Sequence, residues 1–467
     1  MFATGALGAT LCIARVDGSH HPASMSQTAP LTRVLRAAAL AITVAACGPD
    51  QKSGVERRPI PEYGHQGYRQ DIPDAKRGNA VFEQAAFARE GNYLITTGTG
   101  LHVWNAVNGG LLRIIPGFLD RRDRIVVDGT RHLLIARRGA IAPNEANAPG
   151  LWIWDLRDGT KVTVIPEAEN AQLSPIGITP AGGVVVVRAG AIEVWALDGS
   201  GRRMMIEPPA GQKLCTSGGG GSVTYNDKQC AELSHSGRWL AVVARNPDST
   251  MAPGQAYVAD LQRGVLSRVT VPTQAASDWF DSFSFSNDDR VLAMGGSSGL
   301  TMITINADGI AADSAGASFI AGDHKRNHFL VPMLLSADDD RLIALGDQLQ
   351  VSVFDPASHE LIGRVVPPAK DWEGSLRVSA NGARAVTYRF VADILVVIDG
   401  RTGQQRGYVC PYFCNQLHNP VELPYAVTAD GRRVAVGGKP GAGIFDIDAD
   451  TLIAPLNDPA MPALPKR

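Results

Sequence analysis

Apolar residues in this chain come as short dense runs between polar turns. Runs such as Gly183-Val184-Val185-Val186-Val187 and Trp239-Leu240-Ala241-Val242-Val243 lack helical spacing and are too apolar for a sheet with one wet face. They predict β-strands covered on both faces. One arrangement recurs eight times: a polar turn, a β-branched run, then a second strand ending, in all but one case, in an aromatic or Ile followed by a polar or small residue. The turns centre on Gly91, Gly129, Gly182, Gly237, Asp289, Asp339, Gly382 and Gly431. The strand ends are Trp104-Asn105, Trp154-Asp155, Trp195-Ala196, Ala259-Asp260, Ile305-Asn306, Phe354-Asp355, Ile398-Asp399 and Phe445-Asp446. Either series of anchors gives a period of about 49 residues, enough for four short strands and their turns.

The Asp, Asn and Gly residues supply turn conformations between antiparallel strands, and the strand-end aromatic is expected to fill the space between neighbouring sheets. On the SxDG-like turns and the WD-like strand ends, residues 83–456 resemble WD-repeat and YVTN-type β-propellers. The resemblance implies an all-β fold, a single propeller of four-stranded antiparallel blades, eight in number with seven as the alternative. Two repeats are stretched between their second and third strands. The extra residues include Asn144, Glu145 and Asn147 in one and Asp248 and Met251 in the other. Both insertions belong to the same face of a propeller, where repeat insertions build binding surfaces. Trp279 and Trp372 precede first strands and are further candidates for that surface.

The N-terminus reads as an address. Arg33 and Arg36 precede an apolar stretch of ten residues, Ala37 to Ala46, too short to span a bilayer. It ends in Val44-Ala45-Ala46-Cys47, which resembles the lipobox of bacterial lipoproteins. The resemblance implies lipidation of Cys47, a leader 1–46 with Met25 as the alternative start, and attachment to the cell envelope. Gly48 after the cysteine resembles the sorting pattern for an outer membrane facing the periplasm. Residues 47–82 hold Pro, Gly and mixed charge and are expected to be a tether, and 457–467 a Pro-rich tail.

Composition narrows the function. The chain of 467 residues has 44 Lys+Arg against 46 Asp+Glu, a net charge of −2 that becomes −4 once Arg15, Asp17, Arg33 and Arg36 leave with the leader. Nothing there attracts nucleic acid. With Cys12 in the leader and Cys47 lipidated, Cys215, Cys230, Cys410 and Cys414 remain as disulfide candidates. Three pairings are open, and Cys410, Cys414 and His418 form a rival metal set that lacks a fourth ligand. His324 and His328 lack an acidic partner, the glycines 218–221 lack a phosphate-loop ending, and no GxSxG is present. No cofactor is implied. Two functions stay open: a non-enzymatic scaffold binding envelope proteins or peptides, and an envelope enzyme (a lactonase-like hydrolase or quinone-dependent dehydrogenase) using Glu232 and Asp281 near a central channel. The scaffold has a parallel in the outer-membrane assembly lipoprotein with an eight-bladed propeller.

Overall fold

The chain divides into two units, 1–56 and 57–467. In this computed structural model the described residues belong to the second unit. They run from Ala80 to Pro459, leaving out 81, 83, 99, 116–124, 139–149, 167–172, 189, 215–230, 246–253, 272–279, 281, 297–298, 308, 311–317, 322–329, 336–337, 339, 347–349, 366–371, 390–393, 410–424 and 438–441. Side chains of 138, 310, 318–321, 330–335, 372–375 and 389 are likewise left out.

Among the described residues, thirty-four strands form eight separate antiparallel sheets, the blades of one β-propeller. Blade 1 is β1 (Gln84–Phe87), β2 (Tyr93–Thr97), β3 (Leu101–Asn105) and β4 (Leu111–Ile115). Blade 2 is β5 (Val126–Asp128), β6 (Leu133–Arg138), β7 (Gly150–Asp155) and β8 (Lys161–Pro166). Blade 3 is β9 (Leu173–Ile178), β10 (Gly183–Arg188), β11 (Ala191–Ala196) and β12 (Arg202–Ile206). In blade 4 the inner strand comes in two pieces, β13 (Lys213–Leu214) and β14 (Ala231–Leu233), before β15 (Trp239–Arg245), β16 (Gln255–Asp260) and β17 (Val265–Arg268). Blade 5 has β18 (Ser282–Phe285), β19 (Val291–Gly295) and β20 (Gly299–Asn306), with its outer strand split into β21 (Gly309–Ile310) and β22 (Ser318–Ala321). Blade 6 is β23 (Leu330–Leu335), β24 (Leu342–Gly346), β25 (Val351–Phe354) and β26 (Leu361–Val365). Blade 7 is β27 (Trp372–Val378), β28 (Arg384–Arg389), β29 (Ile394–Asp399) and β30 (Gln405–Val409). Blade 8 is β31 (Tyr425–Val427), β32 (Arg433–Val436), β33 (Gly443–Asp446) and β34 (Thr451–Pro455).

The dense apolar runs are explained by where they point. Side chains on a strand alternate between its two faces. Val184 and Val186 pack in a core shared with blade 2, while Val185 and Val187 pack in one shared with blade 4. Likewise Leu240, Val242 and Ala244 face blade 3, and Trp239, Ala241 and Val243 face blade 5. Among the described residues, every apolar core is such a seam between consecutive blades. The strand-end residues fill them: Trp104, Trp154, Ala259, Ile305, Phe354, Ile398 and Phe445 each pack toward the preceding blade.

The ring closes between blades 8 and 1 by packing and a clasp of the two chain ends. The Ala80 N–H donates to Leu456 O at 3.0 Å, and the Leu456 N–H donates to Ala442 O at 3.1 Å. Phe82 lies over Gly437, where an added Cβ would come within 2.3 Å of the ring; only glycine permits that approach. His102 Nε2 and Asp458 Oδ2, both buried, are 3.0 Å apart.

The turn between third and fourth strands is one device used in six blades. Asn105, Asp155, Asp260, Asp355, Asp399 and Asp446 each accept backbone N–H groups two or three residues on, as Asp399 Oδ1 does from Arg401 and Thr402 at 3.0 Å each. The residue four positions on has positive φ. It is Gly109, Gly159, Gly264 and Gly403 in four blades, but His359 (φ 64) and Asp450 (φ 51) in the others. The left-handed conformation costs a side-chain-bearing residue about 1–2 kcal/mol. His359→Gly is therefore expected to stabilise the protein by about 1 kcal/mol, read as a rise in the urea midpoint; no rise means that the imidazole offsets the backbone cost.

The strand 1–2 turn of blade 2 departs from expectation. Its positive φ falls at His132 (56°), not at Gly129, because Asp128 caps the Arg131 N–H at 2.9 Å and shifts the turn along the chain.

Candidate functional site

Four-stranded meanders sort their connections onto two faces. Turns between strands 1 and 2, and between 3 and 4, open on one face, called here the turn face. Connections between strands 2 and 3, and from one blade to the next, open on the other, the connection face.

The turn face is stitched from blade to blade. Arginines at or beside the start of second strands occupy equivalent places. Arg238 Nη2 donates to Ala307 O (2.7 Å), Arg341 Nε to Arg401 O (3.2 Å), and Arg433 Nη1 to Ala106 O (3.2 Å), the last across the closure. Arg384 Nη2 lies 3.3 Å from both oxygens of Asp448. Neighbouring turns also meet directly: Asp289 accepts the His235 and Ser236 N–H groups at 2.9 and 3.0 Å, Thr130 Oγ1 donates to Glu90 Oε1 at 2.8 Å, and Asn381 Nδ2 donates to Asp430 O at 3.1 Å.

Hydrogen bonds within the turns hold other carboxylates in their charged form. Hydrogen bonding from Arg157 keeps Asp155 below the ordinary aspartate range, and the Ser358 and Ala357 N–H groups do so for Asp355. Burial pushes Asp260 up, yet Arg238 and the Gln262 and Arg263 N–H groups outweigh it and leave the group lowered. Asp430 is lowered too: burial pushes it up, but the Thr428 hydroxyl and Arg432 N–H prevail. A depressed folded pKa gives stability that is full above the unfolded value and lost as pH falls through the folded one. Urea midpoints are thus expected to be level from pH 7 to 5 and to drop below about pH 4. A midpoint that holds into that acid range contradicts this assignment.

One buried carboxylate stands apart from turn capping, and one turn-capping carboxylate lines a cavity. Glu193, 3% exposed, has Oε1 at 2.8 Å from Arg202 Nη1 and Oε2 at 2.7 Å from the donating Trp195 Nε1; Arg188 Nε is 3.1 Å away. Arg188 also donates to Pro166 O of blade 2 at 2.9 Å. Both oxygens are engaged, so the group serves as a seam anchor rather than as a base. Asp260 faces a cavity of about 70 Å³ lined also by Trp239, Arg263, Val265 and Ser267. That holds about two waters and is far below the roughly 300–1,000 Å³ of small-molecule sites.

The sequence candidates fall mostly elsewhere. Cys47, Asn144, Glu145, Asn147, Cys215, Cys230, Asp248, Met251, Trp279, Asp281, His324, His328, Cys410, Cys414 and His418 lie outside the described residues. Trp372 is the first residue of β27, opposite Arg389, rather than ahead of the strand. Glu232 sits half-buried in β14 opposite Ala241. Phe280, next to Trp279, is buried in the seam between blades 4 and 5. The strand ends flanking 139–149 and 246–253 (β6 and β7, β15 and β16) belong to the connection face, as do the end of β17 and the starts of β18 and β27. Among the described residues no group of three His, Cys, Asp or Glu side chains is placed to hold a metal ion.

No family model and no curated protein matches the chain. Among solved structures, dihydro-haem d1 dehydrogenase NirN in complex with DHE is 16% identical, with 72% of this chain and 67% of that chain covered and a TM-score of 0.49. The β-propeller domain of Myceliophteria thermophila Cps50 (Swd1) is 11% identical over 70% of this chain and 96% of that one, with a TM-score of 0.45. Kluyvelomyces marxianus Hsv2 is 14% identical over 70% and 98%, also at 0.45. The assignment of eight blades rests on the strand order.

Proposed function

We propose that this chain is a lipid-anchored cell-envelope β-propeller that acts as a non-enzymatic scaffold, presenting its connection face to other envelope proteins or peptides. The observation that carries the scaffold reading is the asymmetry of the two faces. On the turn face, carboxylates, arginines and backbone groups engage one another from blade to blade. The connection face receives the strand ends that flank both insertions. The Cys47 lipobox pattern and the following tether supply the anchoring half. Cys215 and Cys230 fit an oxidising compartment. The strands that flank them, β13 and β14, lie in line on β15, with Leu214 opposite Ala244 and Ala231 opposite Val242. Photo-crosslinkers placed on the two faces in intact membranes test the scaffold. Partners captured from the connection face support it; no partner from either face, together with turnover on a lactone or ester panel, overturns it.

A further inference from the structure

The outermost strands form the rim of the ring, and their charge is one-sided. β8, β12 and β17, on three consecutive blades, carry Lys161, Arg202, Arg203 and Arg268 and no carboxylate; the other outer strands carry none either. This holds in a chain that is net −2, and carboxylates do stand one strand further in, at Asp155, Glu193 and Asp260. Between the cations, Val162, Met205 and Val265 are 43%, 41% and 50% exposed. The Arg268 guanidinium has no ion pair or hydrogen bond among the described residues, and Arg203 acts through space on Asp198.

The three strands belong to one surface. An added Cβ on Gly199, in the turn before β12, would meet Thr163 of β8 at 2.1 Å, and one on Gly264, before β17, would meet Met204 of β12 at 3.8 Å. The outside of a ring is convex. A convex edge offers no groove for a peptide, but it can rest on a plane across adjacent blades.

We propose that the rim of blades 2–4 rests on an anionic lipid surface. Lipid phosphates engage Lys161, Arg203 and Arg268, while Arg202 stays paired with Glu193, and Val162, Met205 and Val265 enter the boundary between headgroups and acyl chains. This contact is independent of Cys47. The test therefore uses the chain from Arg57 onward, which holds all eight blades and their seams and lacks both Cys47 and the apolar stretch 37–46.

That chain is expected to float with vesicles of phosphatidylcholine and phosphatidylglycerol at low salt, but not with phosphatidylcholine alone. It should release at about 0.5 M salt, where screening reaches only a few Å. Arg203→Glu with Arg268→Glu should lower the partition by roughly tenfold or more. The charge-matched Arg290→Glu with Arg432→Glu, on the turn face, should leave it unchanged. Unaltered melting curves show that each pair folds. The proposal is overturned if the chain does not float with anionic vesicles or if both pairs lower partition equally. It is also overturned if polyglutamate is bound while vesicles are not, since the rim then serves an acidic polypeptide.

Discussion

Replacing Trp104 by alanine is expected to cost about 3–5 kcal/mol of stability, a large share of the roughly 5–15 kcal/mol that holds a domain folded. The indole is fully buried in the seam between blades 1 and 8, packed with Ala435, Ile444 and Leu456 of the last blade. Its Nε1–H donates to Thr96 Oγ1 at 2.9 Å, so truncation leaves a cavity and removes that hydroxyl's donor. It also stacks 5.8 Å from His102, which holds Asp458 of the closing segment. Chemical denaturation reads the loss. Val107→Ala, on an exposed turn of the same blade, should stay within about 0.5 kcal/mol. A loss below about 1 kcal/mol for Trp104→Ala means that blades 1 and 8 do not close the ring.

The second large effect concerns the anchor. Cys47→Ala is expected to move the protein from the membrane fraction to the soluble fraction and to abolish incorporation of labelled fatty acid. A thioether-linked diacylglycerol with a further acyl chain is a stable anchor, whereas one chain alone binds marginally. The rim contact on blades 2–4 is salt-sensitive, so the fractionation is done in high salt to separate the two attachments. Retention of Cys47→Ala in the membrane fraction under those conditions contradicts the lipoprotein reading.

What could be read from the residues and what could not divides along the range of the interaction. The period and the blade count were legible because turn chemistry is local: Ser379-Ala380-Asn381-Gly382 and Thr428-Ala429-Asp430-Gly431 bond within themselves. Trp104, Trp154, Phe354 and Phe445 were legible as seam fillers because an aromatic closes an apolar run. The six-fold strand 3–4 turn was half visible in Asp399-Gly400-Arg401-Thr402-Gly403, but His359 and Asp450 at the glycine position hide the repeat. Glu193 escaped notice although alternation places it beside Trp195; its arginines come from neighbouring strands. His102 and Asp458 are 356 positions apart and meet only because the ring closes. Arg238 and Arg433 reach backbone carbonyls, which have no signature in any residue type. β13 is two residues long, too short for a period.

A closed ring that binds partners on its connection face and seals its turn face should crosslink from one face alone. The most direct test is to place a photo-crosslinking residue at Asn147 or Met251, flanked by strand ends of the connection face, and separately at Arg290 or Arg432, on the turn face. Crosslinking is then done in intact membranes. Discrete protein adducts are expected from Asn147 and Met251, and none from Arg290 and Arg432. Adducts of equal yield from both faces, or from Arg290 and Arg432 alone, contradict this expectation.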